Sequence, residues 1–160
     1  MSAAAIHVAL LQRGQTVGTA ESLTAGLVAA TLTDPPGSSA TMRGGLVVYA
    51  TDLKAQLAGV PEPLLAVHGP VSPQVAAALA AGARDRLGAT YGLSTTGVAG
   101  PDRQDGVAVG TVYIGLAGPA GATPVVRELT LDGDRAAIRR QTVVAAIGIL
   151  AAELGLESAL

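Results

Sequence analysis

Apolar residues follow two different periodicities along the chain, and their alternation predicts an α/β fold. Short apolar runs bounded by turn residues are typical of buried strands, whereas Ala-rich segments with apolar residues three or four positions apart are typical of helices. Strands are predicted at 16–20, 45–50, 91–96, 109–117 and 125–131. Helices are predicted at 3–13, 22–33, 73–87 and 135–154, with a short one between Asp52 and Gly59. Loops are predicted at 34–39, 61–70 and 97–106.

The order of these elements predicts a three-layer α/β/α sandwich with a mixed, mostly parallel sheet. Strands alternate with helices, and a late β-hairpin is predicted across residues 118–121. Ligands of such sheets bind at the carboxyl ends of the strands. Polar and Gly-rich segments follow the first three strands, at 20–22, 50–52 and 97–101. The binding site is therefore expected at this edge, within a single domain that spans residues 1–160.

The composition excludes several classes of function. The 160 residues include 10 Lys+Arg and 12 Asp+Glu, for a formal net charge of −2, and aromatic residues make up 2%. Without a basic run or aromatic stacking residues, the chain is a poor candidate for nucleic-acid binding. It has no cysteine and two histidines, so no zinc site is expected.

The predicted location is cytoplasmic, with no membrane association. The uncharged segment 106–126 is long enough for a span, but its glycines, prolines and alternating pattern favour strand–turn–strand structure. The N-terminus lacks the basic and apolar regions of a signal peptide. The absence of cysteine fits a reducing compartment. The Ala and Gly content permits a buried subunit contact, so a homo-oligomer is expected.

Ser22 stands where a strand gives way to a helix, and its hydroxyl has two interpretations. It is either an N-cap, the commonest role of serine there, or a nucleophile beside the free N–H groups of the first helical turn. Lys54 is the only lysine and follows the second strand. It is either a solvated helix residue or a base whose pKa is lowered by desolvation. Tyr49 either relays a proton between the two or fills space at the sheet edge.

Anion-binding groups are predicted in two further places. The loop 95–102, with Gly97, Ala99 and Gly100, can present successive backbone N–H groups. Arg135 and Arg139 lie one turn apart at the start of the last helix, where they either clamp a phosphate or carboxylate or remain solvated.

Seven short motifs occur in the order that they have in one known family. They are TAESLTAG at 19–26, GSS at 37–39, GGLVVYATDLK at 44–54, HGPVS at 68–72, TGVAGP at 96–101, VGTV at 109–112 and GDRAAIR at 133–139. Together they resemble the CinA C-terminal domain family, whose stand-alone members are nicotinamide-nucleotide amidases of the PncC type. The resemblance covers residues 14–154.

The resemblance implies an enzyme that hydrolyses the carboxamide of nicotinamide mononucleotide to nicotinic acid mononucleotide and ammonia, without a metal or organic cofactor. It implies catalysis by Ser22, Lys54 and Tyr49. It also implies a basic residue near the last helix, for which Arg139 is the best match and Arg135 the second. Residues expected to contact this small-molecule substrate are Thr24, Gly97, Ala99, Gly100, Arg135 and Arg139. A non-catalytic nucleotide- or partner-binding module is the alternative.

The chain departs from the family pattern at two places. Ala25 stands where the family usually has glycine. The loop 102–108 lacks the usual glycine pair and the Lys-Pro that precedes VGTV. If that lysine holds substrate in relatives, Arg103 would have to replace it here.

Overall fold

Five strands form one mixed sheet, in the order β2-β1-β3-β4-β5. The structure is a computed structural model that describes residues 2–156, so residues 1 and 157–160 of the predicted domain lie outside it. The strands are β1 Val17–Glu21, β2 Met42–Val47, β3 Tyr91–Gly97, β4 Thr111–Ala117 and β5 Val125–Thr130. The helices are α1 Ala3–Arg13, α2 Leu27–Thr33, α3 Thr51–Gln56, α4 Glu62–His68, α5 Pro73–Leu87 and α6 Arg135–Glu153, and a 3₁₀ turn spans Ser38–Ala40.

The mixed sheet and the late hairpin are confirmed, but parallel pairings are not in the majority. β1 pairs in parallel with β2 and β3, whereas β3–β4 and β4–β5 are antiparallel. A parallel neighbour requires a crossover long enough to return the chain, usually a helix. No helix separates β3 from β4, so β4 runs back beside it.

Helices cover both faces of the sheet and give two hydrophobic cores. On one face α1, α2 and α6 pack through residues such as Ile6, Val28 and Leu150. On the other face α5 packs through Val75 and Leu79. These residues are aliphatic, which agrees with the near absence of aromatic residues from the sequence.

The close approach of α5 to the sheet requires glycine on the strands. A Cβ placed on Gly92 of β3 would overlap the carbonyl oxygen of Ala80, and one on Gly115 of β4 would overlap that of Ala76. Helix and strand backbones are therefore in direct contact. This contact fixes the distance between α5 and the strands β3 and β4.

The bounds of three predicted elements are wrong, and one of these elements is the second strand, which was predicted at 45–50 but lies at Met42–Val47. Residues 61–70 were expected to be a loop, but 62–68 form α4, because Pro61 and Pro63 lie at its start, where a missing N–H costs nothing. The helix predicted from Ser22 begins only at Leu27, since Ala25 and Gly26 have left-handed backbone angles, with φ of 48° and 98°.

The starts of α5 and α6 agree with the local signals, whereas α3 begins at Thr51, without a cap from Asp52, and ends at Gln56. Ser72 accepts the N–H of Val75 at the start of α5, and Asp134 accepts that of Ala137 at the start of α6. No helix within residues 2–156 is both long enough and apolar enough to span a membrane.

Candidate active site

A cleft of about 150 Å³ opens at the carboxyl ends of β1 and β3. It brings together most of the residues that the sequence singled out. Those that line it are Ser22, Tyr49, Lys54, Gly97, Ala99, Gly100 and Arg135. Asp102 and Gln104 also line it, from the loop that departs from the family pattern.

Ser22 and Lys54 are in direct contact at the base of this cleft. The Nζ of Lys54 lies 3.2 Å from the Oγ of Ser22. Ser22 follows the last residue of β1, and its N–H donates to the carbonyl of Thr95 on β3 over 2.9 Å. Lys54 lies on α3, the helix that follows β2. The parallel pairing of β1 with β2 ends both strands at the same edge of the sheet and so brings together two residues that are 32 positions apart.

Lys54 is buried, and among residues 2–156 no counter-ion accompanies it. Its side chain is 2% exposed, and within residues 2–156 no carboxylate lies at ion-pair distance from the amine. The amine donates instead to the carbonyl oxygens of Val48, at 2.8 Å, and Tyr49, at 3.5 Å. Burial lowers the pKa of Lys54 from 10.5 to about 8. With this pKa roughly a tenth of Lys54 is the neutral amine at pH 7 and about half is at pH 8, and the neutral amine is the form that a general base requires.

Ser22 is not the cap of the helix that follows it. α2 begins five residues later, and its first N–H groups bond to the carboxylate of Glu21. The hydroxyl of Ser22 faces the cleft, and the residue is 8% exposed. The N-cap interpretation of Ser22 is therefore wrong.

Tyr49 lies at the mouth of the cleft rather than between Ser22 and Lys54. Its side chain is 53% exposed, and its hydroxyl accepts a hydrogen bond from Arg135 over 2.8 Å. The same guanidinium donates to the carbonyl of Gly100, also over 2.8 Å. Arg135 thus joins the loop after β3 to the segment after β2, and of the two arginines it is the one that reaches the cleft.

The other predicted contact residues lie behind the cleft wall. Thr24 is fully buried, and its hydroxyl bonds to Glu21 and Thr95. Arg139 donates from Nε to the carbonyl of Leu23 over 2.9 Å, so it supports the segment that follows Ser22. Neither side chain lines the cleft.

The histidines offer no alternative base. His68 ends α4 on the exposed surface and does not line the cleft. His7 bonds through Nδ1 to the hydroxyl of Thr41 over 2.8 Å. Among residues 2–156, no group of three or more His, Cys, Asp or Glu side chains is arranged to hold a metal ion.

Glu21, Leu23 and Gln104 are residues near the site that the sequence did not single out, and Asp102 was included only as the end of the predicted anion-binding loop 95–102. Gln104 had a signal, because it lies in the polar loop that follows β3. The signal for Glu21 was weaker: it is a charged residue at the end of a strand that is otherwise uncharged. Its burial and its contacts with α2 depend on how the chain folds back after Ser22.

Comparison with known proteins gives one family. A family model described as the CinA C-terminal domain matches residues 1–154. A CinA-like protein of Frankia casuarinae is 57% identical over 141 residues, which is 88% of this chain and 32% of that protein. A CinA-like protein of an Anaeromyxobacter species is 48% identical over 142 residues, 88% of this chain and 34% of that protein. The chain thus spans about a third of the length of these curated relatives.

Solved structures share the whole fold. The competence/damage inducible protein CihA from Agrobacterium tumefaciens superposes with a TM-score of 0.89 at 35% identity, covering 96% of this chain and 93% of that one. A CinA superfamily protein from Klebsiella pneumoniae superposes with a TM-score of 0.90 at 28% identity, covering 96% and 95%.

Proposed function

Because the chain belongs to the CinA C-terminal domain family, we propose that it is an amidase that hydrolyses the carboxamide of nicotinamide mononucleotide, giving nicotinic acid mononucleotide and ammonia. The observation that carries the proposal is the 3.2 Å contact between Ser22 and a buried lysine whose pKa is lowered to about 8. A serine nucleophile needs a neighbouring base, and this lysine has no counter-ion among the described residues to keep it protonated.

Lys54 acts directly on Ser22 in this mechanism. The carbonyls of Val48 and Tyr49 accept the two N–H bonds of the neutral amine, so its lone pair is left for the hydroxyl proton of Ser22. As that proton moves to Lys54, Oγ attacks the carboxamide carbon. The lysine ammonium then donates the proton to the departing nitrogen, and ammonia leaves. Water, deprotonated by the same amine, hydrolyses the acyl-enzyme and regenerates Ser22.

The backbone N–H of Leu23 is the candidate donor to the oxyanion. It follows the nucleophile, lines the cleft, and has no acceptor among the described residues. Loss of one such donor in enzymes that transfer acyl groups typically costs about 10²–10³ in rate. The carbonyl of Leu23 is meanwhile held by Arg139, which fixes the orientation of this segment.

The size of the cleft and the arginine at its mouth support a substrate with one ring and a phosphate. A cavity of about 150 Å³ holds one benzene-sized ring, so the nicotinamide ring fills it and the ribose phosphate extends to the mouth. Arg135 and Tyr49 lie at that mouth. Each terminal nitrogen of Arg135 keeps one N–H group beyond its bond to Gly100 or Tyr49, and these groups can donate to a phosphate. Arg135 is therefore preferred to Arg139 as the phosphate-binding residue.

Ammonia release from nicotinamide mononucleotide tests the proposal. The purified chain should release ammonia, Ser22→Ala should release none, and Ser22→Ala should keep substrate affinity within about tenfold, or ~1.4 kcal/mol. Ser39→Ala, which changes an exposed serine outside the cleft, is the matched control and should retain full activity. Substrate binding by the wild-type chain without ammonia release would instead favour a binding module, the alternative raised by relatives that are about three times longer.

A further inference from the structure

The carboxylate of Glu21 is buried in a shell of hydrogen-bond donors. The residue is 1% exposed. Its Oε2 accepts from the hydroxyl of Thr24 at 2.6 Å and from the N–H groups of Gly26 and Val28, each at 3.0 Å. Its Oε1 accepts from the N–H of Ala29 at 2.8 Å and from the hydroxyl of Thr19 at 3.3 Å. Five donors thus converge on one side chain.

This arrangement exceeds what a helix cap requires. An N-cap side chain usually accepts one N–H group of the first turn. Here a residue of the preceding strand accepts three N–H groups, and the chain between strand and helix folds around the carboxylate. That loop contains Ala25, a non-glycine residue in the left-handed region with φ of 48°. Such a conformation persists where its surroundings hold it in place.

Glu21 is also connected to both members of the Ser22–Lys54 pair. Glu21 directly precedes Ser22 in the chain. Its carbonyl oxygen accepts the N–H of Val48 over 2.8 Å, and the carbonyl of Val48 in turn accepts from the amine of Lys54 over 2.8 Å. One residue therefore fixes the backbone on both sides of the 3.2 Å contact.

We propose that Glu21 is the positioning residue of the site, whose carboxylate holds the loop 22–26 so that Ser22 faces Lys54 and the N–H of Leu23 faces the cleft. The proposal rests on the proposed function, since positioning has meaning only if Ser22 is the nucleophile. A misplacement of about 1 Å in an active site can cost 10²-fold in rate. Restraint of this loop is therefore a direct requirement for catalysis.

The identity of the donors explains why both ends of the side chain must accept hydrogen bonds. Three partners are backbone N–H groups, which cannot reverse their role. Thr24 donates to Glu21 and at the same time accepts from the hydroxyl of Thr95, at 2.8 Å. A glutamine would keep the shape but turn an N–H₂ group toward donors, leaving buried polar groups without partners.

The test compares Glu21→Gln with Thr24→Val, which keeps the carboxylate but removes its shortest contact. The matched control is Ser94→Ala. It removes a buried hydrogen bond of 2.7 Å from the hydroxyl of Ser94 to the carbonyl of Ala76, and it changes none of the residues 21–29. Two rates are measured on folded protein: ammonia release, as kcat and KM, and modification of Ser22 by a fluorophosphonate reagent followed by mass spectrometry. The second rate reports the reactivity of Ser22 without the nucleotide.

Glu21→Gln should lower kcat and the modification rate by about tenfold or more, with KM within about threefold. Thr24→Val should lower both rates by a smaller factor, and Ser94→Ala should leave both within about twofold. A folded Glu21→Gln variant that is modified at the wild-type rate would overturn the proposal, as would an equal loss in Ser94→Ala.

The experiment separates this proposal from the proposed function. If Glu21→Gln does not fold, an unchanged modification rate in folded Thr24→Val overturns the positioning role, and a lowered rate supports it. If the wild-type chain releases no ammonia, the proposed function fails, and the modification rates alone decide whether Glu21 orients Ser22.

Discussion

Activity should rise with pH between 7 and 9, because only the neutral form of Lys54 can accept the proton of Ser22. Burial lowers the pKa of this lysine from 10.5 to about 8. With a pKa of about 8, roughly 9% of the amine is neutral at pH 7, about 50% at pH 8 and about 91% at pH 9. The ratio kcat/KM should therefore increase about tenfold between pH 7 and 9 and level off above that.

The shape of this profile distinguishes a buried lysine from a solvated one. A lysine with a pKa of 10.5 would be about 0.03% neutral at pH 7 and about 3% neutral at pH 9. Activity that depended on it would rise about a hundredfold over the same interval and show no plateau. Both the slope and the position of the plateau therefore measure the effect of burial.

A direct measurement is available because Lys54 is the only lysine in the chain. Protein grown with lysine that carries ¹³C at Cε gives a single side-chain signal by NMR, and its titration should have a midpoint near 8. In the activity assay, kcat/KM for ammonia release is measured from pH 6.5 to 9.5. Lys54→Arg keeps a positive charge that does not titrate in this range, so it should be nearly inactive.

A flat pH profile between 7 and 9, together with an active Lys54→Arg variant, would refute the assignment of Lys54 as the base. An NMR midpoint near the ordinary value would contradict the burial argument itself. If the midpoint is near 8 but the activity profile is flat, Lys54 is desolvated and yet takes no part in the rate-limiting proton transfer.

Four further predictions concern substrate binding and stability. Arg135→Ala should raise KM for the mononucleotide by about tenfold, and for the nucleoside without phosphate much less, because the proposed contact is to phosphate. Gly92→Ala should lower the free energy of unfolding in urea by about 1–3 kcal/mol, because its Cβ would overlap the carbonyl of Ala80. Gly148→Ala, where a Cβ meets nothing within 4 Å, should raise it by about 0.5–1 kcal/mol. Lys54→Met should raise the free energy of unfolding at pH 7, because it removes a buried amine. This gain should shrink between pH 8 and 10.5. In that range the unfolded wild-type chain binds more protons than the folded one, so the wild-type protein becomes more stable as the pH rises.

Each of these predictions has a contradicting outcome. Equal changes in KM for nucleotide and nucleoside would place the phosphate away from Arg135. Equal stability of the Gly92 and Gly148 variants would mean that α5 does not need glycine on β3. A Lys54→Met advantage that is constant with pH would mean that it arises from packing and not from the buried amine.

Helix boundaries were predictable where the signal is local. The start of α5 is specified by Ser72 and Pro73 and its end by Gly88, all within one turn of the helix ends. Asp134 likewise specifies the start of α6. Capping bonds join residues about three positions apart, so the sequence contains them without knowledge of the fold.

Other local patterns were misleading because distant contacts decide them. The prolines at 61 and 63 are typical of a loop, yet the apolar Leu64 and Leu65 pack against the core under α5 and stabilise α4. Ser22 occupies the usual position of a cap, yet Glu21, the last residue of β1, accepts the N–H groups at the start of α2 instead. In each case contacts with residues elsewhere in the fold outweigh a local conformational preference of a few tenths to about 1 kcal/mol.

The sequence by itself determined the family, the alternation of strands and helices, and the presence of Ser22, Tyr49 and Lys54 at one edge of the sheet. Only the tertiary structure decided which of them touch. Ser22 meets Lys54 because two neighbouring parallel strands end side by side, whereas Tyr49 turns to Arg135, 86 positions away. The lowered pKa of Lys54 likewise arises from the residues that exclude water around it. Burial and contact between distant segments depend on how the whole chain packs, and no local pattern of residues contains them.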